Sequence, residues 1–260
     1  MDYLIVCTVA LVVSGLTLFS GFGLGTLLMP AFALFFPLPV AIGATAVVHL
    51  ANNLFKLILI GREADSRAVL LFGLPAAASA LVGAILLTYF ARLEPWTSYS
   101  LGGLSCTLRP EGIVIGVLIV VFALFDLVPA LARISFDRKY LPLGGLLSGF
   151  FGGLSGHQGA LRSAFLLKSG LSKEAFVGTN VVCAVIVDLV RLLIYGVVFY
   201  STRFADVWDA GPLLVAATLA AFAGAFLGRK LLNKITLRTV QWIVGIMLVL
   251  VGVALAAGLI

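Results

Sequence analysis

Six stretches of this chain, at about 38–60, 68–90, 112–132, 174–200, 207–228 and 240–259, are apolar over the length a helix needs to cross a bilayer, roughly 20 residues. Two of them, 68–90 and 240–259, contain no charged side chain. In hydrocarbon each backbone N–H and C=O must be satisfied inside the spanning structure, and for runs this long that means helix. Composition agrees: 62% of the residues are hydrophobic and 11% charged, against about a quarter charged in a soluble domain. The expected fold class is an all-α polytopic membrane protein whose surface faces lipid.

The start of the chain, Met1-Asp2-Tyr3, has no basic flank before its apolar run, so the first segment is expected to be retained rather than cleaved as a signal. Cys7, Cys106 and Cys183 are odd in number and lack metal-ligand spacing, and there are only two histidines. Neither a disulfide framework, a metal site nor a cofactor is expected. The net charge of +6 sits mostly in short loops, where it reports orientation and does not point to nucleic acid.

Two further hydrophobic regions are interrupted. Residues 3–36 are broken by Gly21, Gly23 and Gly25 and then carry Pro30; residues 141–167 are broken by Gly152, Gly153, Gly156 and Gly159. Each glycine weakens a helix interior by about 1 kcal/mol relative to alanine, so a cluster marks a stop or a turn. The two breaks correspond. A shift of 135 positions places Ser20-Gly21 on Ser155-Gly156, Gly43 on Gly178, Asn53 on Asp188, Leu54 on Leu189, Lys56 on Arg191 and Gly61 on Gly196. Leu81-Val82-Gly83-Ala84 also resembles Phe222-Ala223-Gly224-Ala225. The chain thus reads as two transmembrane repeats, 1–132 and 133–260, with about eight hydrophobic segments.

Loop charge orients them. Arg133, Arg138 and Lys139; Arg229, Lys230, Lys234 and Arg238; Lys168 and Lys173; and Arg62 and Arg67 mark four basic loops. Short basic loops stay cytoplasmic. All four do so only if 141–167 enters and leaves by one side, as a re-entrant hairpin with the glycines at its tip. The same form for 3–36 puts the N-terminus outside and leaves the halves inverted. Full crossings at both breaks are the alternative.

Polar side chains inside the spans are costly, about 2.5–3.5 kcal/mol for a charge near a helix centre. Thr45, His49, Asn52, Asn53 and Lys56 recur every three or four residues, as do Asn180, Asp188, Arg191 and Tyr195, so each set forms one helical stripe. Such stripes face the protein interior or a watery cavity. Lys56 snorkelling to the interface, or Asp188 and Arg191 neutralising one another, are the plainer readings. Where a helix restarts after a glycine break, free N–H groups can meet an anion. Candidate substrate-binding positions are therefore Ser20, Gly21, Gly23, Gly25, Asn53, Ser155, Gly156, Gln158, Arg162 and Asn180. His49, His157 and Asp188 are proton-coupling candidates, and Lys56 and Arg191 a charge pair or gate. Matching broken segments in two inverted halves point to a transporter's midplane site; packing glycines are the alternative. There is no HExxH, GxSxG or nucleotide-binding pattern, so an enzyme is not expected.

The segment SGFGLGTLLMPAFALFFPLPVAIGATAVVHLANNLFK (Ser20–Lys56) resembles the first repeat of the sulfite exporter TauE/SafE family, and GFFGGLSGHQGALRSAFLLKSGLSKEAFVGTN (Gly149–Asn180) its second. The resemblance implies a multi-pass carrier of the bacterial inner membrane that exports sulfite, sulfonates or related small sulfur-containing anions. His157-Gln158 and Arg162 depart from the family's glycine-and-proline pattern, and Phe165 stands where Pro30 stands in the first half. Expected partners are the small anion, the bilayer and a coupling proton or sodium ion. An anion channel and a non-transporting membrane subunit are the other readings.

Overall fold

The computed structural model describes residues 2–16, 24–132, 135–202, 204–231 and 237–259. The described chain is mostly helical: α1 (Asp2–Leu16), α2 (Leu24–Ala33), α3 (Leu38–Ile60), α4 (Ser66–Phe90), α5 (Pro110–Leu127), α6 (Pro129–Ala132), α7 (Leu141–Ser155), α8 (Gly159–Leu166), α9 (Lys173–Thr202), α10 (Phe204–Leu231) and α11 (Leu237–Ala256). Segments Leu38–Ile58, Ser66–Phe90 and Lys173–Val197 are long and apolar enough to cross a membrane; Asp2–Gly15, Pro110–Phe125, Gly211–Leu227 and Gly245–Ala256 are shorter apolar helices. Large apolar side chains face outward, Ile58 at 82% and Val197 at 75% exposed, while the polar stripes are buried. This is the polarity of a multi-pass membrane protein.

Local chemistry sets the boundaries. Asp65 caps α4, its carboxylate accepting from the Ala68 N–H at 2.6 Å. Pro110 opens α5 at the position where a missing N–H costs nothing. The crossing expected to run to 132 stops at Leu127, because Val128 precedes Pro129 and is extended (φ −87°, ψ 111°). At the end of α7, Gly156 adopts φ 81°, ψ −4° and gives its N–H to the Gly152 carbonyl, a left-handed cap that reverses the chain.

That reversal makes α7 and α8 a hairpin. The Phe136 N–H, just before α7, donates to the Ala164 carbonyl near the end of α8 at 3.1 Å. Phe136 and Phe165 stack with ring centroids 4.2 Å apart, and Phe165 fills the space a Cβ on Gly144 would take. In the first half, α1 and α2 also pack on one another.

Helix pairing is related by exchange of the two halves. α4 packs on α7 and α10 on α1; α4 meets α9 and α10 meets α3; α5 pairs with α11 and α3 with α9. Gly145, Gly149 and Gly153 of α7 lie on one ridge, where an added Cβ would strike the carbonyls of Phe72, Ala76 and Ala80 of α4. Gly83 of α4 is closed by the Phe150 carbonyl, and Gly224, its counterpart on α10, by the Leu11 carbonyl of α1. Lipid supplies no hydrophobic drive between helices, so this backbone-to-backbone approach is what holds them.

Residues at the two ends of the bundle gather separately. At one end Arg138 Nη2 pairs with Asp65 at 3.2 Å, Arg138 Nη1 donates to the Ser169 carbonyl, and the Asp65 N–H donates to Thr179. At the other, a hairpin not anticipated from the sequence, β1 (Thr97–Leu101) and β2 (Leu104–Leu108), turns at Gly102 (φ 58°) and Gly103 (φ 87°). Both central residues at positive φ make the two-residue turn that antiparallel strands favour. Tyr99 donates to the Ala257 carbonyl at 2.6 Å and the Thr107 N–H to the Gly258 carbonyl, so the hairpin clasps the end of α11. A cavity of about 430 Å³ lies at this end, lined in part by Phe36, Ser105, Thr107, Arg109, Glu111 and Leu255.

Candidate functional site

The polar stripes of α3 and α9 meet in the interior, and their hub is Asp188, fully buried. Asp188 Oδ2 lies 2.6 Å from His49 Nδ1 and 3.4 Å from Asn53 Nδ2; Oδ1 lies 2.8 Å from Arg191 Nη2 and 3.4 Å from Gln158 Nε2. With the carboxylate ionised, His49 Nδ1 is the donor. Asn53 and Asp188, equivalent under the 135-residue shift, thus touch. The spacings place the side chains on shared faces: His49 and Asn53 at i, i+4 on α3, Asp188 and Arg191 at i, i+3 on α9.

The tip of the α7–α8 hairpin completes the cluster. Gln158, the residue just before α8, accepts from Arg162 Nη1 at 2.8 Å through Oε1. Arg162 Nε donates to Asn180 Oδ1, and Asn180 reaches Ser163 Oγ at 3.5 Å. Ser148 Oγ fixes the tip by donating to the Gln158 carbonyl at 3.0 Å. A Cβ on Gly156 would lie 2.6 Å from Arg191 Nη1, so Arg191 sits directly over the glycine turn. Gly25, one residue into α2, approaches the same place: its Cβ position is 3.5 Å from the His49 ring and 3.8 Å from the Gly156 carbonyl. Gly25 of the first glycine break and Gly156 of the second therefore come together at the polar centre.

Of the sequence candidates, His49, Asn53, Gly156, Gln158, Arg162, Asn180, Asp188 and Arg191 are brought into one network, with Gly25 beside it. Ser155 is buried but bonds to the Phe151 carbonyl within its own helix. His157 gives Nδ1 to the Ser155 carbonyl and stacks on Phe122 of α5, and no hydrogen bond joins it to the Asp188 network among the described residues. Lys56 is buried rather than snorkelling, and lies within electrostatic reach of Arg162. Ser20, Gly21 and Gly23 lie outside the described residues. The glycine cluster divides by role: Gly153 is a packing residue against Ala80, whereas Gly156 makes the turn.

Sequence reasoning missed Ser148, Ser14 and Phe122. Ser14 Oγ donates to Asn52 Oδ1 at 3.1 Å, and its isolation in an apolar run was the available signal. Phe122 carried none. Several buried polar atoms keep hydrogen-bonding capacity: Thr45 Oγ1, Asn52 Nδ2, His157 Nε2, and Arg191 Nε and Nη2. Arg191 Nη2 is an ion-pair neighbour of Asp188 at 2.8 Å without the alignment of a hydrogen bond. Around this centre the described buried side chains carry three cations, Lys56, Arg162 and Arg191, against the single carboxylate of Asp188. Unbalanced charge of this kind is costly in a low-dielectric interior and favours a bound anion.

A family model described as Sulfite exporter TauE/SafE matches residues 4–255, nearly the whole chain. Neither curated proteins nor solved structures gave a match. The chain belongs to the sulfite exporter TauE/SafE family, a family of membrane transporters for sulfite and related anions and not of enzymes.

Proposed function

We propose that this family member exports a small sulfur-containing oxyanion, sulfite or a sulfonate, by alternating access around the Asp188–Arg191–Arg162 centre. The observation that carries the reading is the excess of buried positive charge at the point where Gly25 approaches Gly156. Arg162 and Arg191 would hold the anion's oxygens, since guanidinium forks suit oxyanions. Gln158, Asn53 and Asn180 would orient it, with the backbone at Gly25 and Gly156 close by. Sites of this kind lie near the membrane midplane between inverted repeats.

Inverted repeats account for the exchange-related helix pairing, and re-entrant hairpins for the way α7 and α8 lie side by side. The end that holds Arg138, Lys139, Arg62 and Arg67 is cytoplasmic in this reading, and the β-hairpin end external. The membrane is then the bacterial inner membrane, whose interior-negative potential favours anion exit. The His49–Asp188 contact is the place for a coupling proton.

Arg162→Ala tests the site. In proteoliposomes loaded with labelled sulfite, this variant is expected to lose transport by about 100-fold or more, as removal of a buried charged partner does elsewhere. Unchanged sulfite affinity and efflux in a folded Arg162→Ala protein would refute the site. Efflux that ignores a pH jump would remove the proton from the mechanism.

A further inference from the structure

Asp188 is placed as an anion would be placed. Its two oxygens are met by four side chains from three elements: His49 and Asn53 from α3, Arg191 from α9, and Gln158 from the hairpin tip. Three of the four are the groups assigned above to the transported oxyanion or to its immediate surroundings. Arg162 stands one amide further out, through Gln158.

The contact of Asp188 with Arg191 is a single approach between residues three apart on α9. Arginine–carboxylate pairs are commonly bidentate, with two aligned N–H donors on the carboxylate. Here Nη2 approaches Asp188 to 2.8 Å without hydrogen-bond alignment, Nη1 donates to the Gly152 carbonyl at 3.5 Å, Tyr195 lies against the guanidinium, and Nε and Nη2 have no hydrogen-bond acceptor among the described residues. Asp188 therefore neutralises the guanidinium while leaving donors unspent. Those donors are what an entering oxyanion requires.

We propose that Asp188 is a built-in counter-anion that occupies the anion site of the empty carrier and yields Arg191 to the substrate. This rests on the transport reading above and adds a physical consequence to it. Burying Arg191 with no counter-charge would make the empty, closed form too costly to pass through. With Asp188 in place, the empty and the loaded forms both present a neutralised guanidinium, so the carrier can return without cargo. The substrate competes with an internal carboxylate, which lowers its affinity and speeds its release.

The experiment compares wild-type protein with Asp188→Asn, a substitution of nearly equal shape that removes the charge. Sulfite affinity, measured by calorimetry in detergent, is expected to tighten by about tenfold or more in the variant. Net sulfite efflux from liposomes should fall in the same variant while sulfite–sulfite exchange continues, because only the empty return is impaired. Sulfite that binds Asp188→Asn no more tightly than wild type overturns the counter-anion role and leaves the transport reading standing.

A second measurement needs no variant. In wild-type protein carrying ¹³C-carboxyl aspartate, sulfite addition should shift an aspartate carboxylate band in the infrared difference spectrum. Sulfite that binds wild type without moving any aspartate band again overturns the role. Sulfite that fails to bind wild type overturns the transport reading, and the counter-anion role falls with it.

Discussion

α3 and α9 occupy equivalent places under the 135-residue shift, yet they bring opposite chemistry to the same point. α3 contributes the imidazole of His49, the amide of Asn53, and one cation, Lys56; α9 contributes the carboxylate of Asp188 with the guanidinium of Arg191. Where the two helices touch, an amide faces a carboxylate, Asn53 to Asp188 at 3.4 Å. A symmetric pair there would be either two carboxylates, which repel, or two amides, which leave the cations unbalanced. The scaffold keeps the exchange symmetry and the lining departs from it.

The comparison can be broken most severely through the scaffold. Gly83→Ala drives a Cβ into the Phe150 carbonyl, and its counterpart Gly224→Ala into the Leu11 carbonyl. Backbone cannot yield as a side chain can, so each is expected to cost about 3 kcal/mol, read as a lower thermal midpoint and loss of monodisperse protein. Equal damage in both halves sustains the exchange relation; damage from Gly83→Ala alone would contradict it.

A smaller effect tests the lining. Asn53→Asp sets a second carboxylate beside Asp188, and sulfite efflux is expected to fall about 100-fold. The double variant Asn53→Asp/Asp188→Asn moves the charge from α9 to α3, where Lys56 lies at i+3 as Arg191 does from Asp188. Partial recovery of efflux in the double variant is expected, and a double variant no better than the single one would show that the halves are not interchangeable.

The smallest effects separate the two glycine breaks. Gly156→Ala is strained by about 1–2 kcal/mol at positive φ and pushes Arg191 aside, so sulfite affinity should weaken. Gly25→Ala adds only ordinary contacts with His49 and the Gly156 carbonyl, so its thermal midpoint should fall less than that of Gly156→Ala.

Much of this was legible in the sequence because helical periodicity is local. The crossings at 38–60, 68–90 and 174–200 became α3, α4 and α9 within a few residues. Both polar stripes proved buried, and the glycine cluster at 152–159 proved to contain a turn. Other features depended on partners distant in the chain. Periodicity places His49 on a stripe but says nothing of Asp188, 139 positions away. Lys56 was ambiguous, because snorkelling and burial differ only in what surrounds the ammonium. The stack of His157 on Phe122 leaves no trace in an apolar run. The β-hairpin was legible and missed: Thr97–Leu108 alternates around a Gly-Gly pair, which signals a two-residue turn.

That turn has a practical consequence. A Cβ added at Gly102 or Gly103 would meet nothing within 4 Å, while Tyr99 and Thr107 hold the strands to α11. Lengthening such a loop costs little entropy. A short peptide epitope grafted between Gly102 and Gly103 would ride on a fixed clasp beside the 430 Å³ cavity. Antibody staining of intact spheroplasts against inverted vesicles would then report which compartment that face of the protein meets.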